Sequence, residues 1–294
     1  MPSIVNTANG SDRSAEAHND QGVALASQRR FAEAIAEYSK AARLNRNFTE
    51  AFYNMGLAYE ELGQWKSAIR AYRRAIQLDP KDWIAYCNLG VNYVNSRQYA
   101  KAIDSFRHAA ELNPQDVRVF VRIGFNCGRL KRYPEAIEAY SRALQLEPDF
   151  AGGWYNIALF HFHQHCYNDA LLAAGNALAI DPDYAEPHVI IGMVLNESGD
   201  IDGAINEFKR AAEMNPNLME AHANLGATYL ECKQLGSAVR ELQWAVRLRP
   251  EEPLRHLTLA LARWKRCELV AAARNLCGAT YLYVRRGLKL SDGA

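Results

Sequence analysis

The sequence predicts an all-α array of stacked helix pairs. Three observations carry this: a 34-residue period that runs eight times without insertion or deletion, columns of small residues at fixed places in it, and a proline column that closes it. With registers starting at 15, 49, 83, 117, 151, 185, 219 and 253, one column reads Ala34, Ala68, Ala102, Ala136, Ala170, Ala204, Ala238 and Ala272. A second runs from Ala41 to Ala279 at the same interval. Gly22, Gly56, Gly90, Gly124, Gly192 and Gly226 form a third, with Ala158 and Ala260 in its gaps. Pro80, Pro114, Pro148, Pro182, Pro216 and Pro250 close six of the repeats. A fixed period of this length marks a stack in which each unit buries its apolar face only against its neighbours. Function then belongs to an extended surface.

Residues 1–14 are rich in Ser, Asn and Asp and read as a disordered tail. Repeat 1 (15–48) lacks the closing proline, having Arg46 there. Repeat 2 (49–82) shows the unit plainly. Phe52, Met55, Gly56 and Tyr59 recur at i, i+3, i+4 and i+7, the stripe of an amphipathic helix. Leu62-Gly63-Gln64 breaks it, and Ala68, Ile69, Tyr72, Ala75 and Ile76 form a second stripe. Asp79-Pro80 stops that helix, because the residue before proline disfavours the α region. Gly56 and Ala68 are expected to face each other where the two helices approach, with Tyr38, Tyr72, Phe106, Tyr140 and Phe208 filling the remaining space.

Repeats 3 (83–116), 4 (117–150), 6 (185–218) and 7 (219–252) follow the same plan. Pro134, Pro187 and Pro253 fall in first turns, where a missing N–H costs nothing. Repeat 5 (151–184) departs, with Ala158 for glycine, His161 for tyrosine, Ala174 for the aromatic and Gly175 inside a helix. It is expected to be a local soft point. Repeat 8 (253–286) is degenerate, as expected of a cap, and 287–294 form a short tail.

Bulk properties exclude several function classes. Net charge is +1, so no global field draws the chain to nucleic acid or anionic lipid. No stretch approaches the ~18 apolar residues of a membrane span. The six cysteines show no CxxC spacing and read as reduced thiols of a cytoplasmic protein.

Tyr86, Leu89, Gly90, Tyr93, Ala102, Phe106, Ala109 and Pro114 carry a pattern that resembles the tetratricopeptide repeat. The resemblance covers residues 15 to about 286. It implies a right-handed α-solenoid superhelix whose first helices line a concave groove for peptides. It further implies a non-enzymatic adaptor or scaffold for an extended segment of a partner protein. The alternative is a free-standing substrate-recognition module that works with a separate transferase, for example a glycosyltransferase.

On the groove side of the first helices, Asn54, Asn88, Asn156 and Asn224 form a ladder at multiples of the period. Carboxamides both donate and accept, so they can grip a peptide backbone. The ladder is similar to one in the tetratricopeptide superhelix of O-linked N-acetylglucosamine transferase. Arg118, Arg122 and Arg129 fall within about 40° of one another on the wheel of one helix and make a candidate anion receptor. Together with Asn88 they partly resemble the two-carboxylate clamp of chaperone-binding relatives, although Tyr53 and Leu57 stand where the clamp has Lys and Asn. The competing expectation pairs these arginines with acids such as Asp116. Phe125 and Tyr155, with Val91, Val121, Leu159, Val189, Ile190 and Met193, make the strip apolar. The expected ligand is an extended segment with hydrophobic and acidic residues. Tyr281, Tyr283 and Val284 on the last helix leave self-association open.

No catalytic motif is present, and neither a cofactor nor a metal is expected. His161 and His165 have an i, i+4 spacing that can chelate zinc, but His161 takes a place that tyrosine fills elsewhere and reads as a core residue. His18, His188, His222 and His256 share one place with Trp154 and read as aromatic substitutes in the core.

Overall fold

A computed structural model describes residues 10–291, with side chains described from 12 to 283. Two compact units divide the chain after Pro148, in the loop that closes repeat 4. The unit Met1–Pro148 contains α1 (Gly10–Ser27), α2 (Phe31–Leu44), α3 (Thr49–Glu61), α4 (Trp65–Leu78), α5 (Trp83–Asn95), α6 (Tyr99–Leu112), α7 (Val117–Arg129) and α8 (Tyr133–Leu146). The unit Asp149–Ala294 contains α9 (Ala151–His163), α10 (Tyr167–Ile180), α11 (Ala185–Glu197), α12 (Ile201–Met214), α13 (Met219–Glu231), α14 (Leu235–Leu248), α15 (Pro253–Lys265) and α16 (Leu269–Ser291). In each unit an odd-numbered helix packs against the even-numbered helix that follows, and that helix against the next odd one. This is the expected array of helix pairs. Helix α1 begins inside the stretch 1–14 read as a tail, and residues 1–9 lie outside the described residues. Helix α16 continues past 286, into the stretch read as a C-terminal tail.

The turn within each pair has one geometry. Arg29, Gly63, Arg97, Lys131, His165, Gly199, Lys233 and Cys267, one per repeat, take the left-handed conformation, with φ between 57° and 86°. The N–H that follows returns to the preceding helix, as Gln64 donates to the Tyr59 carbonyl at 2.9 Å. This left-handed cap satisfies carbonyls that a helix end would leave bare. Between pairs, the Asp79 and Asn113 side chains each accept from the N–H two residues on, holding the turn that the following proline begins.

Gly22, Gly56, Gly90, Gly124 and Gly192 face the aromatic column, and Gly226 faces Leu242. A Cβ on Gly56 would lie 2.7 Å from the Tyr72 ring, and one on Gly90 would lie 2.5 Å from Phe106. Only a bare backbone leaves room for these fully buried rings against the first helix. In repeat 5 both partners change: Ala158 and Ala174 are each fully buried. The methyl of one stands in the place where glycine meets a ring elsewhere, so part of the space expected from the lost aromatic is taken up. Gly175 remains a mid-helix glycine with open space around it, a cost of roughly 0.5–1 kcal/mol against alanine. Amide exchange in α10 should therefore outpace that in α6 and α12, and equal protection by mass spectrometry would remove the soft point.

The shared histidine place holds polar pairs rather than aromatic substitutes. His18, His188 and His222 each bring Nδ1 to the carboxylate of the glutamate nineteen residues on, at 2.7, 2.6 and 2.9 Å from Glu37, Glu207 and Glu241. Where the place holds Phe52, Tyr86, Phe120 or Trp154, the residue nineteen further on is Ala71, Ser105, Ala139 or Ala173. Ring and small residue, or imidazole and carboxylate, thus fill the same gap between two helices. Repeat 8 departs: His256 Nε2 lies 2.9 Å from the Pro250 carbonyl, and Asn275 accepts from Arg263.

Candidate functional site

In the unit Met1–Pro148, α3 and α5 carry the ladder residues Asn54 and Asn88, and α7 has Arg122 at the same place. Asn54 donates to the Asn19 carboxamide at 3.1 Å, and Asn88 donates to the Tyr53 hydroxyl at 3.0 Å. Each bond ties one repeat to the one before it. In the second unit Asn156 and Asn224 instead donate to carbonyls of their own helices, Gly152 at 2.7 Å and Glu220 at 2.9 Å. The place that supplied Tyr53 holds Val189 in repeat 6, which offers Asn224 no acceptor. All four carboxamides therefore already use a donor within the fold.

The arginine stripe divides. Arg118 closes on Asp116 through two hydrogen bonds, Nε to Oδ1 at 2.9 Å and Nη2 to Oδ2 at 2.7 Å. The hydrogen bonds and charge of Arg118 hold the Asp116 carboxyl below the usual carboxylate range, and Asp116 also caps α7. The competing expectation thus describes Arg118. Arg122 lies over the Phe106 ring at 5.8 Å, and Arg129 over Tyr99 at 4.9 Å and Phe125 at 6.0 Å. Among the described residues neither forms an ion pair: the charge of Arg122 acts on Asp116 without a direct contact, and Arg129 Nη2 donates to the Tyr99 hydroxyl at 3.1 Å. Phe125, 50% exposed, stands between them on α7.

Beneath them is a cleft of about 330 Å³ whose walls include Val91, Val121, Arg122, Phe125 and Asn126. Asn126 was not singled out in the sequence. It is buried, donates to the Arg122 carbonyl at 2.7 Å, and leaves its Oδ1 without a partner. Asn92 holds the same place one repeat earlier, and it too leaves a buried Oδ1 unpartnered. A recurring asparagine in a column otherwise filled mostly by small or apolar residues was the available signal.

The second unit has its own cleft, of about 710 Å³, between the first helices of repeats 5 to 7. Tyr155, Leu159 and Met193 line it, with Glu186 and Glu220 at its edge. Burial, with the two carboxylates, pushes the Tyr155 hydroxyl up to about 12. Val189 and Ile190 border this cleft but are themselves buried, so most of their surface belongs to the core between repeats. On the last pair, Leu269, Val270, Tyr281 and Tyr283 are exposed, while the side chain of Val284 lies outside the described residues. Among the described residues no helix is long and apolar enough to cross a membrane.

The periodic fold and these faces can be set beside known proteins. The family model described as the cilia and flagella-associated protein 70 C-terminal domain, a tetratricopeptide-repeat domain, matches residues 8–252. The chain belongs to that tetratricopeptide-repeat family. Solved tetratricopeptide-repeat structures share its fold. The MamA protein aligns at 23% identity and TM-score 0.54, over 59% of this chain and 94% of MamA. Cut9, from the APC/C Cut9–Hcn1 hetero-tetramer, aligns at 17% identity and TM-score 0.62, over 93% of this chain and 54% of Cut9. The C-terminal part of a repeat-containing protein from Cytophaga hutchinsonii aligns at 14% identity and TM-score 0.61, over 82% of this chain and 98% of that one. No curated protein matches the sequence. The family match stops at 252, short of the degenerate repeat 8.

Proposed function

We propose that the chain is a non-enzymatic scaffold that binds an extended segment of a partner protein along the first-helix faces of its repeats. The observation that carries this is Phe125, half exposed between Arg122 and Arg129, two cations that form no ion pair among the described residues. An exposed ring flanked by two exposed guanidinium groups outside any ion pair suits an apolar side chain next to an acidic one. The ligand class is therefore a peptide with adjacent hydrophobic and acidic residues. Arg118 is committed to Asp116 and contributes less than its position suggests. Each ladder carboxamide spends one N–H within the fold and keeps its oxygen and its second N–H for the ligand. The family description makes ciliary and flagellar proteins the first partners to test. A recognition arm for a separate transferase would use the same face, and such a transferase would then co-purify.

Peptides selected from a display library against the full chain test the reading. Arg122→Glu/Arg129→Glu and Phe125→Ala alter exposed side chains, so helicity should be unchanged by circular dichroism. Fluorescence anisotropy should show affinity falling by about 30-fold or more, the size expected of an interface hot spot. Selected peptides that bind both variants as tightly as wild type would move the site off this face.

A further inference from the structure

We infer that His161, Cys166 and Asp169 form a binding site for a thiophilic divalent cation, zinc by its chemistry, at the turn between α9 and α10. One ligand atom from each of the three lies within 4.8 Å of the other two. His165, which the sequence paired with His161, instead turns its Nδ1 to the Tyr167 hydroxyl at 2.9 Å.

Comparison of repeats shows what the cluster replaces. In repeats 1 and 4 the places of Cys166 and Asp169 hold Arg30 with Glu33 and Arg132 with Glu135. Both are ion pairs, each at 2.5 Å. Repeat 5 keeps the carboxylate and loses the guanidinium, putting a thiol there and adding an imidazole from the end of the preceding helix. The positive charge that balances this carboxylate elsewhere is missing from the side chains that converge here. A second observation points the same way. The His161 Nδ1 is buried and has no hydrogen-bond partner, an arrangement that costs free energy in a folded protein. Coordination through Nδ1 would supply that partner.

Nitrogen, thiolate sulfur and carboxylate oxygen form a ligand set that zinc accepts in tetrahedral geometry, with the fourth position left to water. Binding would displace the Cys166 proton, since the thiolate is the ligand. The ion would tie the last turn of α9 to the first turn of α10, in a repeat where Ala174 takes the place of the buried ring.

Cobalt(II) is the probe, titrated into the full, tag-free, reduced and chelator-stripped chain. The expected result is one Co²⁺ per chain with a thiolate-to-metal charge-transfer band that Zn²⁺ abolishes. His161→Tyr restores the residue that Tyr59 and Tyr93 provide at this place, so it should fold and lose the band. Cys166→Ser should lose it too, and Cys232→Ser should keep it. Asp169→Asn should weaken binding about tenfold or more, at least the loss seen when a supporting group is removed. A wild-type chain without the band overturns the site. So does a band that survives His161→Tyr or Cys166→Ser, or an affinity unchanged by Asp169→Asn.

Discussion

Phe106→Ala should cost the unit Met1–Pro148 about 3–5 kcal/mol, the penalty of removing a fully buried ring. Gly90→Ala should also destabilise. Its new methyl would meet the ring at 2.5 Å, an overpacking cost of about 1–3 kcal/mol that the ~1 kcal/mol gain in helix propensity only partly offsets. The two changes together should cost less than their sum, with a coupling of about 1–3 kcal/mol, because the methyl enters the space the ring vacates. Repeat 5 already carries this combination as Ala158 and Ala174, both fully buried. Urea denaturation of the four proteins measures the cycle. Strict additivity would mean that the glycine column is not set by the aromatic column.

His222→Phe is the second large effect, and it separates two accounts of the same column. An aromatic substitute in the core would accept phenylalanine at little cost, since Phe52 and Phe120 occupy this place. The structure gives His222 two polar contacts instead, Nδ1 with Glu241 at 2.9 Å and Nε2 with the Pro216 carbonyl at 3.1 Å. Its ring also stacks on Trp244. Phenylalanine keeps the stack but strips a mostly buried carboxylate of its imidazole, for an expected loss of about 2–4 kcal/mol. Adding Glu241→Ala reproduces the pairing of Phe52 with Ala71 and should recover much of that loss. If His222→Phe melts at the wild-type temperature, the hydrogen-bonded pair contributes nothing and the aromatic account stands.

Both cycles come from columns that were legible before any coordinates. The eight in-phase repeats put Gly90 and Phe106 in their columns, and they also put His222 and Glu241 nineteen residues apart. What the columns do not state is which one touches which. The small residues suggested that the two helices approach closely at Gly56 and Ala68, and the structure adds that the Tyr72 ring lies against Gly56. The histidines looked like aromatic residues because the covarying glutamate sits on a different helix, where helical periodicity along one segment gives no sign of it.

The candidate site divides in the same way. The sequence placed Phe125, Arg122 and Arg129 on one helix, and α7 carries all three. It did not tell Arg118 from them, because side-chain reach across a helix start, from Arg118 back to Asp116, depends on backbone and rotamer geometry. It weighed His161 with His165, since four residues make one helical turn. The left-handed residue at the end of α9 turns His165 away and brings Cys166 and Asp169 round to His161. Periodicity by itself determined the all-helical array, the length of each unit and the family, because one repeating set of burial constraints fixes the backbone. Tertiary structure decided which polar groups are spent inside the fold and which remain for a ligand, because hydrogen bonds between helices depend on distances that no single helix sets.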